Sequence, residues 1–138
     1  MNTDRNRPNE SGTDNPESYP EQDLTEKVLA SAFAVHNALG AGFLERVYSN
    51  ALAVELRARG VALQREVPFK IQYRNTLVGE YVADLIADGR VLVELKACAS
   101  LDSVHAAQIL NYLRASGIHV GLLLNFGRPK LEYRRFVL

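Results

Sequence analysis

The sequence predicts one α/β domain built on a mixed sheet. Three observations predict it: two stretches of helical periodicity come first, three strand-like runs separated by turns follow, and a third helical stretch leads into a strand that is almost continuously apolar. Turn-linked strands form an antiparallel meander, whereas a strand reached through a helical crossover is buried on both faces and needs helical cover. At 138 residues with a 47% hydrophobic fraction, the chain can bury one core and is too short for two ordinary domains.

Met1 to about Pro20 is rich in Asn, Asp, Glu, Ser, Gly and Pro and offers little to bury beyond Met1 and Tyr19. Residues 1–20 are therefore expected to be a disordered tail, and residues 21–138 the domain. From Asp23 to Leu39 the apolar residues Leu24, Val28, Ala32, Val35 and Leu39 recur near the period of about 3.6 that marks a helix. Asp23 with Glu26 reads as a capping box, and Gly40 as the stop. A second helix runs from about Leu44 to Arg59 and ends at Gly60. Val67, Phe69, Ile71 and Tyr73 alternate as in a strand with one buried face, and Pro68 suits its start or an edge. After the polar turn Arg74-Asn75-Thr76, Leu77 to Ile86 is a second strand; Asp88-Gly89 marks a tight turn, and Val91 to Ala97 is a third. A third helix spans about Asp102 to Ser116 and closes at Gly117. Ile118 to Asn125 is the strand buried on both faces, and Gly127 with Pro129 turns the chain into a last strand, Leu131 to Val137.

Lys+Arg (16) balance Asp+Glu (16), so the formal net charge is zero. Tight non-specific clamping of duplex DNA usually needs a basic excess, so neutrality argues mildly against a stand-alone DNA binder but not against a catalytic module. The lone Cys98 excludes an internal disulfide and points to a reducing cytoplasm. No apolar run approaches the roughly 18 residues of a membrane span, and the N-terminus lacks the apolar core of a secretory signal.

The chemistry is expected on the third strand. Glu94 and Lys96, two apart, point to one face together with Leu92, opposite a face of Val91, Val93, Leu95 and Ala97. Charges on so apolar a strand are costly unless paired or metal-bound. Asp84, within an apolar second strand, also needs a partner. A three-residue loop of Ala87, Asp88 and Gly89, with Gly89 left-handed, would set Asp84 opposite Leu92 and diagonal to Glu94, on one face; a two-residue turn would separate them. On the second helix Glu45 falls on the apolar stripe with Leu44, Tyr48 and Ala51, although Glu55 lies on the same broad stripe. On the third helix Leu101, His105, Gln108 and Tyr112 share a face, and Val104, Leu110 and Leu113 contribute to another. Such a polar row could orient a water or hold a phosphate.

At these residues the pattern becomes specific. Gly42-Phe-Leu-Glu45-Arg-Val-Tyr48 resembles the signature of the bacterial GxxExxY proteins, a family assigned to the PD-(D/E)xK nuclease superfamily. Asp84, Glu94-Leu-Lys96, Gln108-Ile-Leu-Asn-Tyr112 and Gly121-Leu-Leu-Leu-Asn125-Phe-Gly127 follow in the matching order, so the resemblance covers roughly Leu24 to the C-terminus. The Pro-Asp pair that names the superfamily is absent, because Ala83 precedes Asp84. The resemblance implies a restriction-endonuclease-like αβββαβ core, here with an extra N-terminal helix and C-terminal strand. It implies a Mg²⁺ (or Mn²⁺) bound by Asp84, Glu94, the Leu95 carbonyl and Glu45, with Lys96 beside the attacking water. Gln108 and Tyr112 complete the expected catalytic set.

The implied activity is metal-dependent hydrolysis of nucleic-acid phosphodiesters, DNA ahead of RNA. Carboxylates suit hard Mg²⁺, and Lys96 is a compact cation for developing negative charge. Arg128, Lys130, Arg134 and Arg135 are candidates for phosphate contact, set against the ordinary reading of a solvated face. The competing reading is a catalytically inactive nucleic-acid-binding or regulatory module that keeps the fold. A core this small leaves room for a homodimer or a partner that supplies targeting. His36, His105 and His119 are scattered and read as surface or supporting residues, Tyr48 as core with its hydroxyl on a site carboxylate, and Cys98 as a small buried residue.

Overall fold

The computed structural model describes residues 19–138. Among them the elements follow the expected order: α1 (Gln22–Leu39), α2 (Glu45–Ala58), β1 (Leu63–Tyr73), β2 (Thr76–Ala87), β3 (Val91–Lys96), α3 (Ser103–Ser116), β4 (Val120–Asn125) and β5 (Glu132–Val137). The strands form one sheet in the order β1-β2-β3-β4-β5, in which only β3 and β4 run parallel. β3 is therefore the central strand, and Pro68 sits opposite Val82 on the edge strand β1, the position in a sheet where a residue without an N–H is tolerated.

The helices cover both faces. Val28 and Ala32 of α1 and Tyr48, Leu52 and Leu56 of α2 share a core with Val91, Val93 and Leu95 of β3 and with Leu122 and Leu124 of β4. On the other face Ile109 and Leu113 of α3 pack with Ile86, Leu92 and Leu123. Each large aliphatic side chain so buried contributes about 1.5–3 kcal/mol. Gly121 interrupts the apolar run of β4 because a Cβ there would lie only 3.1 Å from Ile109 and 3.3 Å from Leu113, so its absence lets α3 sit down on the sheet.

Several expectations need correction. The Asp23–Glu26 capping box does not form: α1 starts a residue earlier, its N-cap is Glu21 in a left-handed conformation, and Asp23 is already inside the first turn. Glu21 instead forms an ion pair with Arg90. The box appears on α3, where Asp102 accepts from the His105 N–H and His105 Nδ1 accepts from the Asp102 N–H. β1 begins at Leu63, and its alternation buries Val67 and Phe69 only in part, leaving Ile71 and Tyr73 exposed. The cause is topological: β3 pairs with β2 only from Leu85 onward, so the outer half of the β1–β2 hairpin has no third strand beside it. Leu44 and Val104, placed on apolar helix faces, are exposed, and Ile109 takes the core position on α3. Cys98 is half-buried rather than buried. Of the expected tail, residues 1–18 lie outside the described residues; Tyr19 is described, and its ring and hydroxyl are engaged by Arg135. No helix among the described residues is long and apolar enough to cross a membrane.

Candidate active site

The loop between β2 and β3 has the expected three residues in a different frame. Ala87 pairs with Val91, Ile86 with Leu92 and Leu85 with Val93, so the loop is Asp88, Gly89 and Arg90 rather than Ala87, Asp88 and Gly89. Ala87 stays in the sheet because it is fully buried in the core under α1 and α2. Asp88 (φ 50°) and Gly89 (φ 68°) turn the chain in left-handed conformations. Asp88 is fixed there by two bonds to Ala62, donating its N–H (2.7 Å) and accepting through Oδ1 (3.1 Å). Continuing this register brings Asp84 level with Glu94 itself, not with Leu92.

At that level the two strands part, and their carboxylates replace the ladder. The Asp84 N–H donates to Glu94 Oε2 (3.1 Å), and the Leu95 N–H donates to Asp84 Oδ2 (2.9 Å). The alternation of β2 also breaks here. Tyr81 and Ala83 pack on the α3 side, whereas Leu85 and Ala87 pack on the α1/α2 side. Opposite, the pairing steps from Arg65 to Val67 past Glu66, which has φ 52°. A local irregularity of this kind re-aims side chains, and here it turns Asp84 into the gap.

Glu94 is only 6% exposed and also accepts a 2.7 Å bond from the Tyr81 hydroxyl. Burial and then the Asp84 charge push its pKa up to about 7, against the opposing pull of the Tyr81 hydroxyl, the Asp84 N–H and Lys96. Asp84 is raised by burial; the Leu95 N–H and Lys96 lower it, while Glu45 and Glu66 raise it further. The Tyr81 hydroxyl is driven above its ordinary range by burial and by Glu94, so it stays a proton donor. Tyr112 on α3 stacks on Tyr81 and is raised by the same causes.

The α1–α2 turn delivers Glu45. Tyr48 is fully buried and stacks on Phe126, and its hydroxyl donates to the Gly40 carbonyl (2.5 Å) while accepting the Phe43 N–H (3.1 Å). It therefore clamps the loop and not, as expected, a site carboxylate. Gly42 within that loop has φ 116°, which disfavours any side chain. The loop ends at Glu45, the first residue of α2, which is exposed rather than packed on the sheet. Glu45 lines a cavity of about 270 Å³ with Asp84, Leu95, Glu66, Arg46, Ser49 and Arg65. Glu55 turns away to Arg59.

The remaining candidates divide. Lys96 is half-buried, near enough to lower both acids. Gln108 is exposed on α3. Arg128 and Lys130 lie exposed in the β4–β5 turn. Arg134 and Arg135 project from opposite faces of the edge strand β5, one over Phe136 and the other over Tyr19, so the four make no single surface. Tyr81, Arg65, Arg46 and Glu66 were missed, because the face switch at Asp84 carries no pattern in sequence. Asn125, within the Gly121–Gly127 motif, has a structural task. Its fully buried amide holds the chain after Lys96 by bonding the Cys98 N–H and C=O, and it also donates to Glu132. His36, read as surface or supporting, is buried and ties α1 to the Arg128 carbonyl (2.8 Å).

Among the described residues no group of three or more His, Cys, Asp or Glu side chains is gathered to hold a metal ion ready-made. The expected metal ligands are brought together in two groups that share Asp84: Asp84 with Glu94 across the strands, and Asp84 with Glu45 and Leu95 in the cavity.

A mixed five-stranded sheet with helices on both faces and an Asp/Glu/Lys cluster where the central hairpin opens defines a nuclease-like α/β fold. The chain belongs to the PD-(D/E)XK nuclease superfamily, whose family model matches residues 22–136. Among solved structures it is similar to the crystal structure of SSO0001, with 19% identity, a TM-score of 0.52 and 85% of this chain covered. The chain spans 58% of the length of that protein, and the likeness is one of fold. No curated protein sequence matches it.

Proposed function

We propose that the protein is a metal-dependent nuclease of the GxxExxY type, hydrolysing phosphodiester bonds of nucleic acid, DNA ahead of RNA. One observation carries this reading: the Glu94 carboxylate accepts the Asp84 N–H and the Asp84 carboxylate accepts the Leu95 N–H, so two acids on adjacent strands are locked together beside a cavity that Asp84 lines, with Lys96 near enough to lower both.

The residues fit a hard divalent cation. Glu45 and Glu66 raise the affinity of Asp84 for protons, and Asp84 raises that of Glu94, a charge excess that Lys96 only partly offsets. Asp84 Oδ2 and Glu94 Oε2 are occupied by hydrogen bonds, which leaves one oxygen on each for an ion that keeps most of its waters. Asp84, Glu94, Glu45 and the Leu95 carbonyl would hold Mg²⁺ or Mn²⁺, which supplies charge neutralisation for the phosphate and a more acidic water. Lys96 orients the nucleophile and offsets developing charge. Tyr81 orients Glu94, and Tyr112 braces Tyr81 from α3. Gln108, exposed on the same helix, meets the strand's backbone. The lone cysteine supports a cytoplasmic setting, and a second copy or another protein supplies substrate targeting.

A catalytically silent nucleic-acid-binding module is favoured by a different observation, the engagement of Glu94 by Tyr81 and the Asp84 N–H. The purified chain, incubated with labelled single- and double-stranded DNA and RNA in Mg²⁺, Mn²⁺ or EDTA, separates the two. The nuclease reading expects metal-dependent cleavage that drops at least about 10²-fold in Lys96→Ala. Cleavage indifferent to that substitution removes the site. Binding without cleavage at any metal concentration establishes the silent module.

A further inference from the structure

The cavity beside Asp84 holds cations that the nuclease chemistry has not used. Arg65 leaves β1 toward α2, where its Nη2 donates to Ser49 Oγ (3.1 Å) and Asn50 Oδ1 (2.6 Å). Its Nε is buried without a hydrogen-bond partner. A buried donor left unmatched is destabilising and calls for an explanation. Arg46, one residue beyond Glu45, lines the same cavity. Three carboxylates share those walls, yet among the described residues neither arginine is ion-paired with Glu45, Glu66 or Asp84. The tether to Ser49 and Asn50 holds the Arg65 fork across from α2 and leaves the remaining donors without protein acceptors.

An acidic cavity alone repels a phosphate, and two guanidinium groups in its wall reverse that locally. The Arg65 Nη2 hydrogens are taken by Ser49 and Asn50, so Arg65 offers a phosphate its charge and its Nη1 donors, and a donor already fixed in place loses little freedom when it binds. We propose that Arg65 and Arg46 form a phosphate subsite that takes the oxygens of a nucleic-acid phosphodiester beside Asp84 and Glu45. The subsite rests on the nuclease-like reading above and gives it a substrate-positioning wall. Arg65 is the binding residue, Ser49 and Asn50 orient it, and Arg46 adds a second charge at the rim.

The test is fluorescence anisotropy of labelled single-stranded and duplex DNA oligonucleotides with the full chain in Ca²⁺ over a salt series. Arg65→Ala, Arg65→Lys and Arg46→Ala are measured in parallel, each checked by thermal unfolding. Arg65→Ala is expected to weaken single-strand binding about tenfold and to flatten the dependence of log affinity on log salt by about 0.7. Arg65→Lys keeps the slope, because its charge remains, while losing affinity. A lowered melting temperature with unchanged slope and affinity assigns Arg65 a structural role and overturns the subsite. Oligonucleotide binding indifferent to Arg65→Ala overturns the subsite and leaves the nuclease reading standing. No binding by the parent chain to either oligonucleotide overturns both. If Arg65→Ala does not fold, Arg46→Ala decides: a reduced slope supports the subsite, and an unchanged slope overturns it.

Discussion

Glu94 is held in a place that does not suit its charge. Its pKa of about 7 in the fold stands above its ordinary 4.5, chiefly through burial and then through Asp84. A carboxyl raised in this way is favoured by folding in its protonated form. Its contribution to stability is complete below about pH 4.5 and disappears as the pH rises through about 7. Glu94→Gln keeps an oxygen for the Tyr81 hydroxyl and removes the charge. In EDTA the variant should therefore melt above the parent at pH 8, by a margin on the order of 3 kcal/mol at most, and match it near pH 4.5. The nuclease reading expects the same variant to be inactive in Mg²⁺. Thermal unfolding of both chains between pH 4.5 and 8 checks this; curves that stay parallel would show that Glu94 bears no such strain. The result separates a residue kept for function from one kept for stability, since only the former should gain stability when neutralised.

Two connections between elements place the site, and both rest on atoms with little freedom. The loop from α1 to α2 is closed by the Tyr48 hydroxyl on Gly40 and Phe43, which fixes where Glu45 begins α2. Tyr48→Phe keeps the stack on Phe126 and loses both bonds, so it should cost about 1–3 kcal/mol in urea unfolding. It should also lower cleavage by more than the lost stability explains, because Glu45 is released. Activity unchanged at a temperature where the variant is fully folded would detach the loop from the site. After β4, Gly127 lies against the other connection: a Cβ there would come within 2.4 Å of the Cys98 backbone, just past Lys96. Gly127→Ala cannot be absorbed by a side-chain shift, and about 3 kcal/mol or more of destabilisation is expected by the same measurement. At this scale the sequence was legible. The helical and strand periods, Gly40, Gly60 and Gly117 gave the order of all eight elements. The start of α1, the length of β1 and the frame of the β2–β3 loop were not legible, because Glu21, Glu66 and Asp88 adopt left-handed conformations that residue type does not announce.

Across the whole molecule the legible part of the site was the part carried by one strand. Glu94 and Lys96 share a face by the geometry of β3 alone, and Asp84 came with them through the hairpin. Tyr81, Glu66, Arg46 and Arg65 were hidden, since which of them meets Asp84 depends on the break in alternation at Asp84 and on how α2 lies across β1. The basic run near the C-terminus is divided between two faces: Arg134 and Arg135 are neighbours in sequence and lie on opposite sides of an edge strand, as strand alternation dictates. Charge also becomes informative only in three dimensions. The net charge is zero, yet Glu45, Glu66 and Asp84 meet in one cavity, where Arg46 and Arg65 only partly offset them. Without a divalent cation that point should repel a phosphate backbone. Asp84→Asn removes one charge from it, and one charge near a surface is worth on the order of 1 kcal/mol, or about fivefold in affinity. In EDTA at low salt Asp84→Asn should therefore bind a labelled single strand about fivefold more tightly than the parent, with the gap shrinking as salt rises. Added Mg²⁺ should tighten the parent and leave the variant nearly unmoved, so that the order narrows or reverses. Equal affinity of the two chains in EDTA would mean that the strand does not pass over Asp84, whatever else the protein binds.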